Sequence, residues 1–279
     1  MLDIRQTPRY AKYLRKTGWQ IEELSGVNCF IKKIPLLGSV IKIQRPETIP
    51  LKQIKELAKK HHAFQLIIEP KRKMDAEYLR KSGFKLINSP FLPSKTLILD
   101  LTVGREKLFK QLKKDARYAL RKTEKLVVDK PKSITDFYNS WKKAVGKKRY
   151  ITPLPRLKIL KRVFGKNVLF LMNKNSSAGA IFLLGDKIAY YWQAFSGPEG
   201  RKQLAQYRIV WEGILWAKKS GAKIFDFEGI YDKRFPNKQW SGFTHFKKSF
   251  GGEDLEYPGC FSKIFISQIF KWKRNTKKS

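Results

Sequence analysis

The chain has 279 residues, 42% hydrophobic and 13% aromatic, which excludes a disordered polypeptide and allows one large or two modest domains. Its 60 Lys+Arg against 23 Asp+Glu give a formal charge of +37. Self-repulsion on that scale opposes compaction, so an anionic partner is the economical explanation: nucleic acid, a phosphorylated metabolite or an acidic membrane face.

Thr7–Lys16 reads as a helix with Tyr10, Tyr13 and Leu14 on one face, stopped by Gly18. Strands follow at Trp19–Leu24, Asn28–Ile34 and Ser39–Ile43, then helix Leu51–His61 and strand Phe64–Glu69, ended by Pro70. The His61-His62 pair is expected at an exposed helix end. Helix Met74–Ser82 closes at Gly83 before strand Phe84–Ile87. Strands interleaved with helices define an α/β or α+β unit, and the two prolines of Asn88–Ser94 mark a boundary after residue 94.

A second domain is expected over 95–260. Strand Thr96–Leu101 leads into one long basic helix, Arg105–Lys125, on which Lys113, Lys114, Arg117, Arg121 and Lys122 share a broad face. Most such stripes are simply solvated, but no comparable acidic set neutralises this one, so a phosphate-facing role has equal standing. Helices Ile134–Val145 and Pro155–Phe164 precede strands Val168–Asn173, Ala178–Leu184 and Lys187–Phe195, the last two joined at Gly185-Asp186 as a hairpin. Helix Leu204–Ser220 ends at Gly221 and feeds strand Lys223–Phe227. Both halves therefore carry a helix ending Ser-Gly before a strand, a hint of two copies of one architecture. In the tail, 261–279, Phe261, Ile264, Phe265, Ile269 and Trp272 fall on one helical face ahead of a basic end. Such a helix packs back on the first domain or lies on an anionic membrane face; the first is the commoner fate.

Cys29 and Cys260 have no metal spacing and read as reduced, and three histidines argue against a metal site. The opening residues lack the apolar core of a signal peptide and no apolar run approaches ~20 residues, so a cytoplasmic protein is expected. The least ordinary stretch is Lys223–Gly252. Its lysine pair, Lys247-Lys248, lies between Phe246 and Phe250 and is closed by Gly251-Gly252. Read alone, the pair is more often a solvated face beside core aromatics than a site.

Several separated stretches nevertheless fall in the order of one family. They are Gln6-Thr7 through Gly18-Trp19, Thr96–Leu101, Arg117-Tyr118 with Arg121-Lys122, Tyr190-Tyr191-Trp192, Trp211–Ile214 with Trp216-Ala217, Phe225–Ile230 and Phe246–Gly252. Together they span nearly the whole chain, which resembles the Fem-type (FemXAB) peptidoglycan aminoacyltransferases. The resemblance implies two tandem GNAT-like domains, mixed sheets flanked by helices, with the reaction near their shared cleft. It implies transfer from aminoacyl-tRNA to the peptide stem of a peptidoglycan precursor, UDP-MurNAc-pentapeptide or lipid II, without a cofactor, by a monomer. The basic tail adds peripheral contact with the inner membrane face.

By the same resemblance, the lysine after the phenylalanine of the late motif is Lys247, with Phe246 before it, as the catalytic pair. The precursor-binding residues carry over less cleanly. Lys12 or Lys16 stands near the family lysine of the first helix, Arg149 or Arg156 near the family arginine, and Glu69-Pro70 replaces a strand-end Asp-Pro. Tyr191 and Trp192 complete the substrate set, while Lys113, Lys114, Arg117, Arg121 and Lys122 are assigned to tRNA or phosphate. Some members carry a coiled-coil arm for which this chain has no room.

A neutral amine attacking an already reactive ester needs positioning and a cation at the oxyanion, which Lys247 supplies with Phe246 and Phe250 fixing its direction. No Ser-His-Asp or Cys-His set argues for a covalent intermediate. Glu69, Asp100 and Glu228 are the candidate bases; proton removal by a carboxylate of the precursor is preferred to Asp100 and Glu228, and Glu69 stays open. Two rivals remain. An acyl-CoA-dependent N-acyltransferase would use Gly197–Arg201 as a phosphate loop, and a non-catalytic nucleic-acid binder would stack bases on Tyr190-Tyr191-Trp192.

Overall fold

The computed structural model describes residues 1–146, 150–237 and 240–265. Contacts divide the chain into two units, Leu2–Ser94 with Glu256 and the described residues beyond it, and Lys95–Leu255.

In the N-terminal unit, helix α1 (Pro8–Lys16) starts where Thr7 Oγ1 accepts the Tyr10 N–H at 3.3 Å, with Pro8 in the first turn. A meander follows: β1 (Gln20–Leu24), β2 (Val27–Ile34) and β3 (Gly38–Gln44). Helix α2 (Leu51–Lys60) then crosses over to β4 (Ala63–Glu69), which pairs parallel with β3. Helix α3 (Lys73–Lys81) and β5 (Lys85–Ile87) complete the continuous part. Ile54, Leu57, Leu66, Ile68 and Leu79 form the core between sheet and helices.

The C-terminal unit opens with β6 (Lys95–Asp100), α4 (Arg105–Gln111), α5 (Lys114–Lys122) and a short β7 (Val128–Asp129). Helices α6 (Ile134–Val145) and α7 (Leu154–Phe164) precede a second meander, β8 (Val168–Asn173), β9 (Ala178–Leu184) and β10 (Ile188–Ser196). Every residue of β8 and β9 is buried, because α9 (Ala205–Lys219) covers one face and α6 with α7 the other. After α8 (Pro198–Lys202) and α9 the chain enters β11 (Ile224–Asp226), parallel to β10. Helix α10 (Ser241–Lys248), β12 (Glu253–Glu256) and β13 (Cys260–Ile264) follow.

Among the described residues the strands form two sheets, in the orders β1-β2-β3-β4-β13-β5 and β12-β6-β11-β10-β9-β8-β7. Each is a three-stranded antiparallel meander, a crossover helix and a parallel fourth strand. The strand on the far side of that fourth strand is antiparallel and distant in sequence: β13 beside β4, and β6 beside β11.

Four expectations are corrected. The basic helix over 105–125 is two helices: Leu112 is extended and buried, and the Lys113 N–H donates to Ser249 O at 2.8 Å instead of continuing the ladder. The helix over 261–279 fails at its start, since 261–264 belong to β13, which inserts between β4 and β5. Cys260 and Phe261 are buried where they pair with β4 and β5, Ser262 and Lys263 are half-exposed, and 266–279 lie outside the described residues. For the same reason the second unit ends at Leu255 and not at 260. His61 is also not at a bare helix end: its ring meets Glu22 at 2.5 Å and is mostly buried.

Gly251 and Gly252, at φ 81 and 86, form the turn that seats α10 against the rest of the unit. A Cβ at Gly252 would lie 2.3 Å from Ile98 O, a backbone atom of β6 that cannot swing away. Gly252→Ala is therefore expected to cost about 2–4 kcal/mol, strain and overpacking together, read as a lower urea midpoint at unchanged m.

Candidate active site

The site in the C-terminal unit is built at the end of β11. Asp226 is buried there, and its Oδ1 accepts the Thr96 hydroxyl at 2.5 Å and the Glu228 N–H at 2.7 Å. Those bonds curl the chain so tightly that Glu228 takes φ 63, and the Gly229 N–H donates back to Phe227 O at 3.1 Å. Two carbonyls are thereby aimed at one point. Lys247 fills it, donating from Nζ to Phe227 O at 2.7 Å and Gly229 O at 2.5 Å.

Lys247 is 8% exposed, in the last turn of α10. The ammonium lies over the rings of Tyr191, at 5.7 Å, and Phe243, at 4.9 Å, one helical turn earlier. Among the described residues no carboxylate is in hydrogen-bond contact with it. Burial pushes its pKa down to about 8, against the smaller opposing pull of the Glu228 and Asp226 charges. An ammonium has three donors, and among the described residues two are engaged. The third is available to an oxygen that arrives with substrate.

Tyr191 is tied to the start of α9, its hydroxyl accepting from Gln206 Nε2 at 2.8 Å. Gln206 Oε1 is buried without a hydrogen-bond partner among the described residues. Pairing between β10 and β9 slips between Tyr191 and Gln193, so Trp192 occupies a bulge, half-buried. Directly after it, Gln193 exchanges hydrogen bonds with the Thr152 hydroxyl at 2.9 and 3.1 Å, which ties the loop before α7 to the bulge.

Of the residues singled out in the sequence, Lys247, Tyr191 and Trp192 thus occupy one region, and Arg156 is exposed in the first turn of the helix that this loop opens. Arg149 lies outside the described residues. Phe246 does not direct the ammonium: it faces α9, 4.8 Å from the Tyr207 ring and 5.4 Å from Phe250. The rings that flank Lys247 are Tyr191 and Phe243, because α10 is a helix and i, i+4 neighbours share a face. Lys113, Lys114, Arg121 and Lys122 are exposed at the start and along the length of α5, while Arg117 is half-buried and reaches Lys110 O at 3.3 Å. Asp115 in the same helix meets His245 at 2.9 Å.

The N-terminal unit holds Lys12 and Lys16, exposed one turn apart on α1, and Glu69, buried at the end of β4. Glu69 accepts from Gln44 Nε2 and the Leu92 N–H, both at 2.6 Å. Asp100 is a poor base: its Oδ1 accepts the Thr102 hydroxyl and N–H, which hold its pKa below the usual carboxylate range. Both cysteines are buried, which pushes each thiol up to about 12 and makes them inert. Among the described residues no cluster of His, Cys, Asp or Glu suits a metal ion, and no helix is long and apolar enough to cross a membrane.

The sequence profile of the FemAB family matches residues 172–278, a stretch that contains Tyr191, the β11 turn and Lys247. The aminoacyltransferase FemA of Staphylococcus aureus is 29% identical over 94 residues. The FemX crystal structure superposes with a TM-score of 0.78, covering 96% of this chain and 94% of that one at 16% identity. Residues 172–278 are thus similar to the FemAB family, and the whole chain shares the fold of FemX. The FemA match covers 34% of this chain but only 22% of the relative. A tandem GNAT protein from the clavulanic acid pathway also superposes, with a TM-score of 0.50, 9% identity and 87% and 81% of the two chains covered. The chain therefore has the two tandem GNAT-like, mixed α/β folds that its sequence led us to expect.

Lys247 makes stability depend on pH in a defined direction. Its pKa is about 8 folded against 10.5 when unperturbed, so between those values the unfolded chain binds more protons. Stability contributed through this group is lowest below pH 8 and rises as pH climbs from about 8 to about 10.5. Urea titrations should show this rise exceeding that of Lys247→Met by ~3 kcal/mol; parallel pH curves for the two proteins would contradict a buried ammonium.

Proposed function

We propose that this chain transfers an aminoacyl group from a charged tRNA to the amino group of the peptide stem of a peptidoglycan precursor, UDP-MurNAc-pentapeptide or lipid II. The observation that carries the reading is the buried Lys247 ammonium, of whose three donors two are engaged among the described residues. The amine lone pair adds to the ester carbonyl, giving a tetrahedral centre with an oxyanion. As it collapses, the C–O bond to the ribose breaks, an amide remains, and the ribose oxygen gains the proton that the amine loses. Lys247 would place its third N–H on the oxyanion or the leaving ribose oxygen. In a desolvated position such a donor is worth more than in water, and its carbonyl partners hold it fixed beforehand.

The β10 bulge at Trp192 and the Thr152–Gln193 link directly follow Tyr191, whose ring faces that ammonium, and would offer the substrate polar contacts. Arg156, Arg149, Lys12, Lys16 and Glu69 are assigned to the precursor by resemblance, and Glu69 is the better-built candidate, held by two donors. The exposed cations of α5, Lys113, Lys114, Arg121 and Lys122, suit the phosphates of tRNA. Arg117 is the least suited of the five, being partly occupied within its own unit.

The rival readings fare worse. Gly197 and Gly200, the glycines of the supposed CoA loop, are both consumed against Ser177 O: the Gly197 N–H donates to it, and a Cβ at Gly200 would stand 2.6 Å away. A base-stacking platform needs open rings, yet Tyr190 and Tyr191 are 1% and 8% exposed.

Lys247→Met, assayed with charged tRNA and precursor, is expected to lower kcat about 10²–10³-fold with little change in KM. Wild-type kcat should fall as pH rises through about 8, and a variant with normal turnover would remove Lys247 from the mechanism. Filter binding of charged tRNA should weaken steeply with salt, and Lys114→Glu/Arg121→Glu should flatten that slope by about two ions; a slope equal to wild type would detach α5 from tRNA. Incubation with acetyl-CoA in place of charged tRNA should give no product.

A further inference from the structure

One end of the N-terminal unit combines exposed apolar side chains with gathered positive charge. The β2–β3 hairpin turns through Pro35, Leu36 and Leu37, and the two leucines are 68% and 46% exposed. Leu36 has φ 67, where Gly or Asn would be expected. Strand register fixes what else lies at that end. Gln20 opposite Ile31 puts the start of β1 there, Ser39 opposite Ala63 the start of β4, and Gln65 opposite Ile264 the end of β13. Ile264 is 58% exposed, and the sequence continues from it as FISQIFKWKRNTKKS.

The helices that lead into β1, β4 and β5 must therefore finish at this same end, and side-chain links confirm it. Lys32 Nζ donates to Gly18 O at 2.8 Å after α1, the Ser39 hydroxyl to His61 O at 2.8 Å after α2, and Lys263 Nζ to Ser82 O at 2.9 Å after α3. Each helix ends in an exposed basic pair, Arg15-Lys16, Lys59-Lys60 and Arg80-Lys81. Lys60 shares Glu22 with His61, at 3.1 Å from the lysine. Basic last turns by themselves complement helix dipoles. A pair of leucines at the tip of a strained turn, with no core to enter, has no such explanation.

We propose that this end of the N-terminal unit docks on an anionic lipid bilayer. Leu36, Leu37 and Ile264 enter the headgroup boundary, and the three basic pairs face the lipid phosphates. Apolar insertion and a basic rim reinforce one another, each lysine or arginine near the surface adding roughly fivefold to binding. Glu69 ends β4, the strand that begins at the docking end, so it stands about 20 Å farther along the sheet. The proposal is independent of the acyl-transfer reading, and its test requires no turnover.

The test is flotation of the full chain with phosphatidylcholine vesicles, with and without phosphatidylglycerol. Binding is expected only with the anionic lipid, about tenfold or more weaker for Leu36→Asn/Leu37→Ser and for Arg15→Glu/Lys59→Glu/Lys81→Glu. Circular dichroism confirms that each variant is folded. In Leu36→Trp, the emission added relative to wild type should shift to the blue and be quenched by lipids brominated along the acyl chain. Unchanged flotation of the leucine variant overturns the proposal, as does wild type that fails to float. So does added emission from Leu36→Trp that stays unquenched on vesicle-bound protein. Self-association lost in the leucine variant, with flotation intact, would assign the tip to a second copy of the chain and overturn it equally.

Discussion

A single buried ammonium organises the C-terminal unit. Lys247 could not be tolerated at 8% exposure unless something replaced its hydration, and two backbone carbonyls do so. Those carbonyls are available only because Asp226 pulls the chain after β11 into a left-handed turn at Glu228. The helix that carries the lysine is seated by Gly251 and Gly252, which approach the backbone of Gln111 and Ile98 more closely than any side chain would permit. The same contact interrupts the basic helix at Leu112 and Lys113. Turn, helix break and lysine are thus consequences of one packing arrangement.

The two units solve one topological problem twice. A meander, a crossover helix and a parallel fourth strand leave that fourth strand with an open edge, which each unit closes with a strand remote in sequence. In the C-terminal unit the pairing of β6 with β11 brings Thr96 to Asp226, so edge protection and site geometry are the same contact. In the N-terminal unit the pairing of β13 with β4 and β5 returns the last described residues to the sheet. Lys263 then meets the end of α3, on the side where the helices end.

The excess of positive charge is distributed with a pattern. On α5 it is spread along a helix beside few acids, while in the N-terminal unit it gathers at three helix ends around an apolar tip. A charge spread along a helix suits a long polyanion, and one ringing exposed leucines suits a surface with an apolar interior.

The sequence by itself determined most of the elements. Helices such as Ile134–Val145 and strands such as Ala178–Leu184 are set by local periodicity and by punctuating residues like Gly18, Pro70 and Gly146, which act over a few positions. The order of the motifs also brought out the likeness to the FemAB family, and with it the proposal for Lys247. Only the tertiary structure decided which rings face that lysine, why 105–125 breaks, and that 261–264 form a strand. Each of those outcomes depends on a partner far away in the chain: Ser249 for Lys113, Phe227 and Gly229 for Lys247, Ile68 and Leu86 for Phe261. Hydrogen bonds and close backbone contacts between remote segments leave no periodic trace in either segment, and that is why local pattern was silent about them.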